Sequence, residues 1–325
     1  NNDINVSFNL LLDFNEISTN FDTLNFVDYK KNYLSTFFRP KLSKNIENNS
    51  EYFYSRDQFK LKKGISAMLR IKNEEKNIKS VLLGIIDVFE EIILVDNNSN
   101  DNTLKIVKEL IDNNETFREK LKIYHYPFKV ARCGIENLNT HPQSLHSLAY
   151  FYNYSLSKCN FSHVMKWDGD MILPLFLKDH LKKYITNLIY KNNPILGKPK
   201  GLTVYKGFDE RYYYRPNIFE KEIRIFNNYI GNYYVKDVLW ERFHNTIESV
   251  SIPSYANVFI EYKDVTENEF SHWDEGYLGM GMRKRRELRD FNIIYEITSH
   301  KKSDISSLAL SLGFNTIEGE KIFNF

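Results

Sequence analysis

From Gly64 onward, apolar positions fall into two rhythms that alternate along the chain. Ile65-Ser-Ala-Met-Leu-Arg-Ile71 is a short apolar run behind a glycine, the pattern of a buried strand. Ile78, Val81, Leu82, Ile85, Ile86 and Phe89 then recur at three and four residues, which predicts one buried helix face. Ile92-Ile-Leu-Val95 is a second strand, and Asp96-Asn-Asn-Ser-Asn-Asp101 is a turn rich in residues that bond their own backbone and cap helices. The rhythm repeats: a helix carrying Leu104, Val107, Leu110 and Ile111, a strand over residues 122–126, and a helix marked by Leu145, Leu148, Ala149, Tyr152 and Leu156. His163-Val-Met-Lys-Trp167 is a fourth strand running into Asp168. After Pro174, Leu177, Leu181, Tyr184 and Leu188 predict a helix that stops at the Asn192-Asn193-Pro194 breaker. Such alternation predicts an α/β fold, a mostly parallel sheet flanked by helices, with ligands held at the carboxyl ends of the strands.

The two ends of the chain read differently. Residues 1–60 are Asn-rich and aperiodic, an irregular extension packed on the main body. Residues 61–196 form the alternating half, and residues 197–325, thick with aromatics and charge, form a less periodic second half packed directly on the first. No internal repeat and no linker divides them.

Composition narrows the function classes. With 44 basic and 42 acidic residues the net charge is +2, so no global field favours nucleic acid or an anionic membrane surface. Any anionic ligand must be held locally. Two cysteines, Cys133 and Cys159, cannot supply a disulfide framework or a Cys-rich zinc site, which fits a reduced, cytoplasmic setting. No apolar run approaches the roughly 20 residues that span a bilayer, so the visible chain reads as soluble. The 22 Tyr and 24 Phe offer either core packing or sugar-stacking surfaces, with Tyr205, Phe208 and Tyr212-Tyr-Tyr214 as acceptor-stacking candidates whose commoner fate is the core.

Asp168-Gly-Asp170 directly follows a predicted strand, at the ligand-binding edge. Two carboxylates one residue apart can share a hard cation such as Mg²⁺ or Mn²⁺, with Gly169 allowing a tight turn. An ordinary acidic turn is the plainer alternative for the tripeptide alone. Asp96, ending the second strand, suits either a hydrogen bond to a nucleoside or a helix cap. Asn73-Glu74-Glu75 suits a cap as well.

Taken in order, these pieces resemble a known family. Ser66-Ala-Met-Leu-Arg-Ile-Lys-Asn-Glu-Glu-Lys-Asn-Ile78 is similar to the first strand and Asn-Glu turn of the family 2 glycosyltransferases, with Arg70 in place of a frequent proline. Val95-Asp-Asn-Asn-Ser-Asn-Asp-Asn-Thr103 is similar to the family's Val-Asp-Asp-Gly-Ser-x-Asp-x-Thr, with Asn97 and Asn98 replacing its second aspartate and glycine. Asp168-Gly-Asp170 falls where the family has its metal-binding aspartates. Glu222-Ile-Arg-Ile-Phe226 is similar to a Glu-Pro-Arg-Leu-Phe segment that follows them. The resemblance covers residues 64–175 and weakens toward residue 290.

It implies the fold called GT-A and a metal-dependent glycosyltransferase, a hexosyltransferase by expectation, that moves a sugar with inversion from a nucleoside diphosphate sugar to a glycan, protein or other hydroxyl acceptor. The implied donor-binding residues are Arg70, Asn73, Glu74, Asp96, Asp168 and Arg224. The implied ligands of Mn²⁺ or Mg²⁺ are Asp168 and Asp170, with His272 as a third position to test beside His244 and His300. Inversion needs a base, which the family places about a hundred residues beyond the metal motif. His272-Trp273-Asp274-Glu275-Gly276 lies there, making Asp274 the preferred base and Glu275 the next. An acidic pair at a helix N-terminus is the structural alternative. Arg283-Lys-Arg-Arg286 reads first as a solvated helix face and second as a diphosphate clamp on a loop made mobile by Gly276, Gly279 and Gly281. The competing functions are a non-catalytic carbohydrate- or nucleotide-binding protein of the same fold, and a sugar nucleotidyltransferase. The latter lacks its Gly-rich loop, since Arg70-Ile-Lys-Asn-Glu74 contains no glycine.

Overall fold

The computed structural model describes residues 41–190, 194–216, 218, 220–245, 249–266, 281–299, 305–317 and 319. Within them the chain runs β1 (Lys62–Ile71), α1 (Ile78–Ile85), β2 (Glu91–Asp96), α2 (Thr103–Asn113), α3 (Glu115–Lys120), β3 (Leu121–His125), α4 (Ile135–Leu138), α5 (Leu148–Leu156) and β4 (Phe161–Asp168). There follow β5 (Met171–Ile172), α6 (Leu175–Ile189), β6 (Ile195–Lys206), β7 (Tyr212–Tyr214), β8 (Glu220–Lys221), β9 (Ile225–Asn227), β10 (Asn232–Lys236), β11 (Glu241–Asn245) and β12 (Val250–Asp264). The last elements are α7 (Met282–Ser299), α8 (Ile305–Ser311) and β13 (Asn315–Ile317).

The strands predicted from apolar runs pair in parallel, in the order β3-β2-β1-β4. Beyond β4 the direction changes. Strand β9 is antiparallel to β4 and joins it to β6, one edge of which takes the short antiparallel β9, β8 and β7 in turn. The other edge of β6 pairs in parallel with β12 along nearly its whole length. The long ladders are therefore parallel, and the antiparallel pairs are short. This is the mixed α/β sheet flanked by helices that the alternating pattern predicted.

Period-two side-chain direction divides the core between the two faces. Ile65, Ala67 and Leu69 of β1 pack against Val81 and Leu82 of α1 and Leu181 and Ile185 of α6. Met68, Ile93, Val95 and Val164 point the other way, under Ala149, Tyr150 and Tyr154 of α5. Helix α1 has eight residues, too short to persist alone, and burial of Ile78, Val81, Leu82 and Ile85 holds it to the sheet. Each such side chain contributes about 1.5–3 kcal/mol. Helix α5 begins three residues later than its apolar pattern, because Ser147 caps it by accepting from the Tyr150 N–H.

Two long strands, β6 and β12, were not anticipated in the second half. Their apolar residues are interrupted by Lys198 and Lys200 in one, and by Glu261 and Lys263 in the other, so neither reads as an apolar run. Tyr205 and Tyr213 are buried with Phe291 and Ile294 of α7, and Tyr214 is buried too, so the core claims them rather than an acceptor; Phe208 remains 43% exposed. Before β1, Tyr52 is buried beneath α5, and Arg56 donates to the Asn232 and Tyr229 carbonyls and to Asn228 Oδ1.

Candidate active site

The turns after β1 and β2 hold each other. The Asn73 N–H donates to Ser99 Oγ at 2.9 Å, and the Asn100 N–H returns to Asn73 Oδ1 at 2.9 Å. Glu74 N–H donates to Thr103 Oγ1 at 2.7 Å, and Glu75 N–H to Asp101 Oδ2 at 3.0 Å. The Glu75 carboxylate in turn accepts from the Asn102 backbone and side-chain amides. Asn73 and Asn98 both sit at positive φ, 57° and 58°, a conformation that Asn tolerates better than most residues. Asn97, the departure from the family pattern, donates its side-chain amide to the Tyr126 and Phe128 carbonyls, fixing the chain after β3.

The third motif arrives beside them on β4, which is parallel to β1 with Arg70 opposite Asp168. Here Gly169 lets the segments approach closely: a Cβ at this position would lie 2.6 Å from the Glu74 side chain and would have to push it aside. The acids on either side of it diverge. Asp168 accepts from Arg224 Nη1 at 2.5 Å and Arg70 Nη2 at 3.2 Å, with Lys166 Nζ 4.0 Å away. Asp170 accepts from Lys263 Nζ at 2.6 Å. It also lines a cavity of about 580 Å³ with Lys72, Glu74, Lys76, Tyr262 and Asp264. That volume falls within the roughly 300–1,000 Å³ of small-molecule sites.

Beneath Asp168 lies a buried charge network. The backbone of Arg224 is bonded on both sides, its N–H to the Gly197 carbonyl and its carbonyl to the Lys166 N–H, so the side chain is fixed against β4. Its guanidinium spans Asp168 and, at 3.1 Å, Glu222. Lys166 Nζ reaches Glu222 at 2.8 Å, and the Arg70 guanidinium stacks on the Tyr152 ring at 3.3 Å. Burial alone would raise the Asp168 carboxyl, but Lys166, Arg224 and Arg70 outweigh it and hold it well below the carboxylate range. Glu222 is likewise pushed up by burial and down by Lys166, Arg224 and Arg283, with the cations winning at about 2.

This has a pH signature. A carboxyl whose folded pKa is depressed contributes stability above its ordinary value, here 4.5, and loses it as the pH falls through about 2. Wild type should therefore melt above Glu222→Gln at pH 6, with the gap narrowing below pH 4.5 and closing near pH 2. An unchanged gap at pH 3 would refute the pairing.

The predicted residues thus divide. Asn73, Glu74 and Asp170 line the cavity, whereas Arg70 and Arg224 pair with Asp168. Asp96 is wholly buried, accepting from the Ser99 N–H and facing His125 Nδ1 at 3.3 Å, so the structure places it in its turn. His272, Asp274, Glu275 and His300, with Gly276 and Gly279, lie outside the described residues. His244 packs on the Tyr233 ring in the β10–β11 hairpin. The basic run is not wholly a solvated face, because Arg283 turns to Glu287 at 2.8 Å and Glu222 at 3.4 Å. The attraction of Glu287, 2% exposed in its side chain, accounts for that turn.

The sequence did not single out Lys166, Glu261 and Lys263, whereas Glu222 stands in the segment similar to Glu-Pro-Arg-Leu-Phe and pairs with Arg224 at 3.1 Å. The available signal was charge at alternate positions of otherwise apolar strands: Lys166 two before Asp168, and Glu261 two before Lys263.

Among the described residues, no group of three or more His, Cys, Asp and Glu side chains is arranged to hold a metal ion. The donor chemistry at Asp170 nonetheless suits Mg²⁺ or Mn²⁺. Magnesium sites commonly use one or two carboxylates plus substrate phosphates and water, and Asp170 faces a cavity able to admit them. Among the described residues, no helix is long and apolar enough to cross a membrane.

Residues 66–133 match the family described as Glycosyl transferase family 2, the segment that carries the first two motifs. The matched segment lies within the mixed α/β fold described above, a mostly parallel sheet flanked by helices. Among solved structures, it is similar to S. aureus TarS 1-349 in complex with UDP-GlcNAc, at 17% identity and a TM-score of 0.41, over 74% of this chain and 68% of that one. A second TarS 1-349 structure is matched over 63% of its own length. M. tuberculosis glucosyl-3-phosphoglycerate synthase with Mn²⁺ and UDP-glucose is similar at 19% identity and a TM-score of 0.30, over 45% of each chain. The mannosyltransferase PcManGT from Pyrobaculum calidifontis, with GDP-Man and Mn²⁺, is similar at 13% identity and a TM-score of 0.32, over 60% of this chain and 44% of that one. No curated protein sequence matches the chain.

Proposed function

We propose that the protein transfers a hexose, with inversion, from a nucleoside diphosphate sugar to a hydroxyl on a glycan, protein or other acceptor. The observation that carries this is the meeting of three ordered motif segments around Gly169, with Asp170 turned into a cavity of small-molecule size. Residues 61–196 act as the donor half and residues 197–325 as the acceptor half. Asn73 and Glu74 border the donor, and Arg70 and Arg224 set the charge and orientation of Asp168. Asp170 is the principal ligand of Mn²⁺ or Mg²⁺, with Asp168 beside it and His272 as a further ligand. When bound, the ion supplies Lewis-acid stabilisation of the negative charge that grows on the leaving diphosphate. Asp274, or Glu275 next to it, removes the proton of the attacking hydroxyl.

A thermal-shift series with UDP, GDP and ADP, each with and without Mn²⁺, tests the donor site. At least one nucleotide should raise the melting temperature by several degrees in a metal-dependent way, since a ligand that binds only the folded state stabilises it. A flat response across the series would refute the reading.

A further inference from the structure

Asp170 has a resident partner. Lys263 lies on β12, two residues beyond Glu261, whose pairing with Met171 holds β12 to β5 immediately after Asp170. Its side chain is 5% exposed, and its ammonium stands between two carboxylates, 2.6 Å from Asp170 Oδ2 and 3.0 Å from Glu261 Oε1. Glu261 is buried, and among the described residues its second oxygen, Oε2, has no hydrogen-bond partner. A buried acceptor of that kind is costly to leave unsatisfied.

A divalent cation approaching Asp170 meets this ammonium at contact distance. Two cations on one carboxylate in a partly dry site repel strongly. Lys263 has a second acceptor at hand: its ammonium already lies 3.0 Å from Glu261 Oε1, on the same carboxylate as Oε2. We infer that Lys263 is a tethered counter-ion that occupies Asp170 in the metal-free protein and yields it to a divalent cation by shifting onto Glu261. The protein then binds the ion weakly by itself. It binds it well only with an anionic diphosphate present to share the added positive charge, so metal and donor bind with positive, reciprocal coupling. This rests on the reading of Asp170 as the metal-facing acid, and it adds Lys263 and Glu261 as positioning residues.

Titration with Mn²⁺ alone, followed by the electron paramagnetic resonance signal of the free ion, tests it without any sugar donor. Lys263→Met should bind Mn²⁺ at least tenfold more tightly than wild type, and Lys263→Arg, which keeps the charge, should not. Glu261→Gln removes the alternative acceptor and should weaken binding. Adding Asp170→Asn to Lys263→Met should abolish the gain. Mn²⁺ affinities within twofold for wild type and Lys263→Met would overturn the inference, as would a gain that survives Asp170→Asn. Should Lys263→Met fail to fold, Glu261→Gln decides: binding equal to or tighter than wild type overturns it. A flat nucleotide series would sink the donor reading and leave this metal-only measurement to stand or fall separately.

Discussion

Asp170→Asn is expected to lower sugar transfer at least a hundredfold while the protein stays folded. The substitution is nearly isosteric, and Asp170 is 23% exposed in its side chain, so little core packing depends on it. What it removes is the anionic oxygen facing the cavity, and groups that stabilise charge growing on a leaving group are commonly worth about 10²–10³ in turnover. The metal-dependent thermal shift with nucleoside diphosphate should vanish together with activity. Asp274→Asn makes the informative contrast. Loss of a general base costs about 10²–10⁴ in rate, and the nucleotide-induced shift should persist. If Asp170→Asn retained both activity and the metal-dependent shift, Asp170 would have no part in holding the donor.

Unfolding of Arg224→Met in urea should show a loss of about 3 kcal/mol. The guanidinium is 1% exposed and divides its nitrogens between Asp168 and Glu222, so removing it takes from both acids the one cation that bridges them at 3.1 Å or less and leaves Lys166, Arg70 and Arg283 to offset them. Breaking a buried ion pair from one side costs about 3–5 kcal/mol, because the remaining charge is uncompensated. The two acids are about one-third exposed, 31% and 33%, which puts the expectation at the lower end. Arg224→Lys should recover only part of the loss, since one ammonium cannot fork between two carboxylates as a guanidinium does. A loss below about 1 kcal/mol would mean that Lys166 and Arg70 suffice to hold Asp168.

The strands and helices legible beforehand were those whose burial is uniform. Strand β2 is buried at every position, and the face of α1 repeats Ile78, Val81, Leu82 and Ile85, so a one-dimensional pattern records a local fact. Strand β12 was not legible, because a charged residue inside it finds a partner distant in sequence: Lys263 answers Asp170. A charge inside a strand looks like a surface position until its partner is known. The site divides in the same way. Asn73, Glu74 and Asp170 lie on turns directly after strands and Asp168 ends one, so chain order alone fixes their positions. Lys166 was not singled out, since its role depends on a fold that brings the separate segment of Glu222 within 3 Å. Arg283 is an intermediate case: its helix was legible, and its turn toward Glu222 was not.

The interlocked turns after β1 and β2 bear on the cost of binding. Asn73, Glu74 and Glu75 are held by Ser99, Asn100, Asp101, Asn102 and Thr103, all of them protein groups present before any ligand arrives. A molecule entering the cavity beside them therefore does not have to freeze these segments. The conformational entropy has already been lost during folding, so more of each contact made on binding appears as affinity. Selectivity follows from the same stiffness, because a wall that cannot rearrange rejects a misfitting ligand instead of adapting to it.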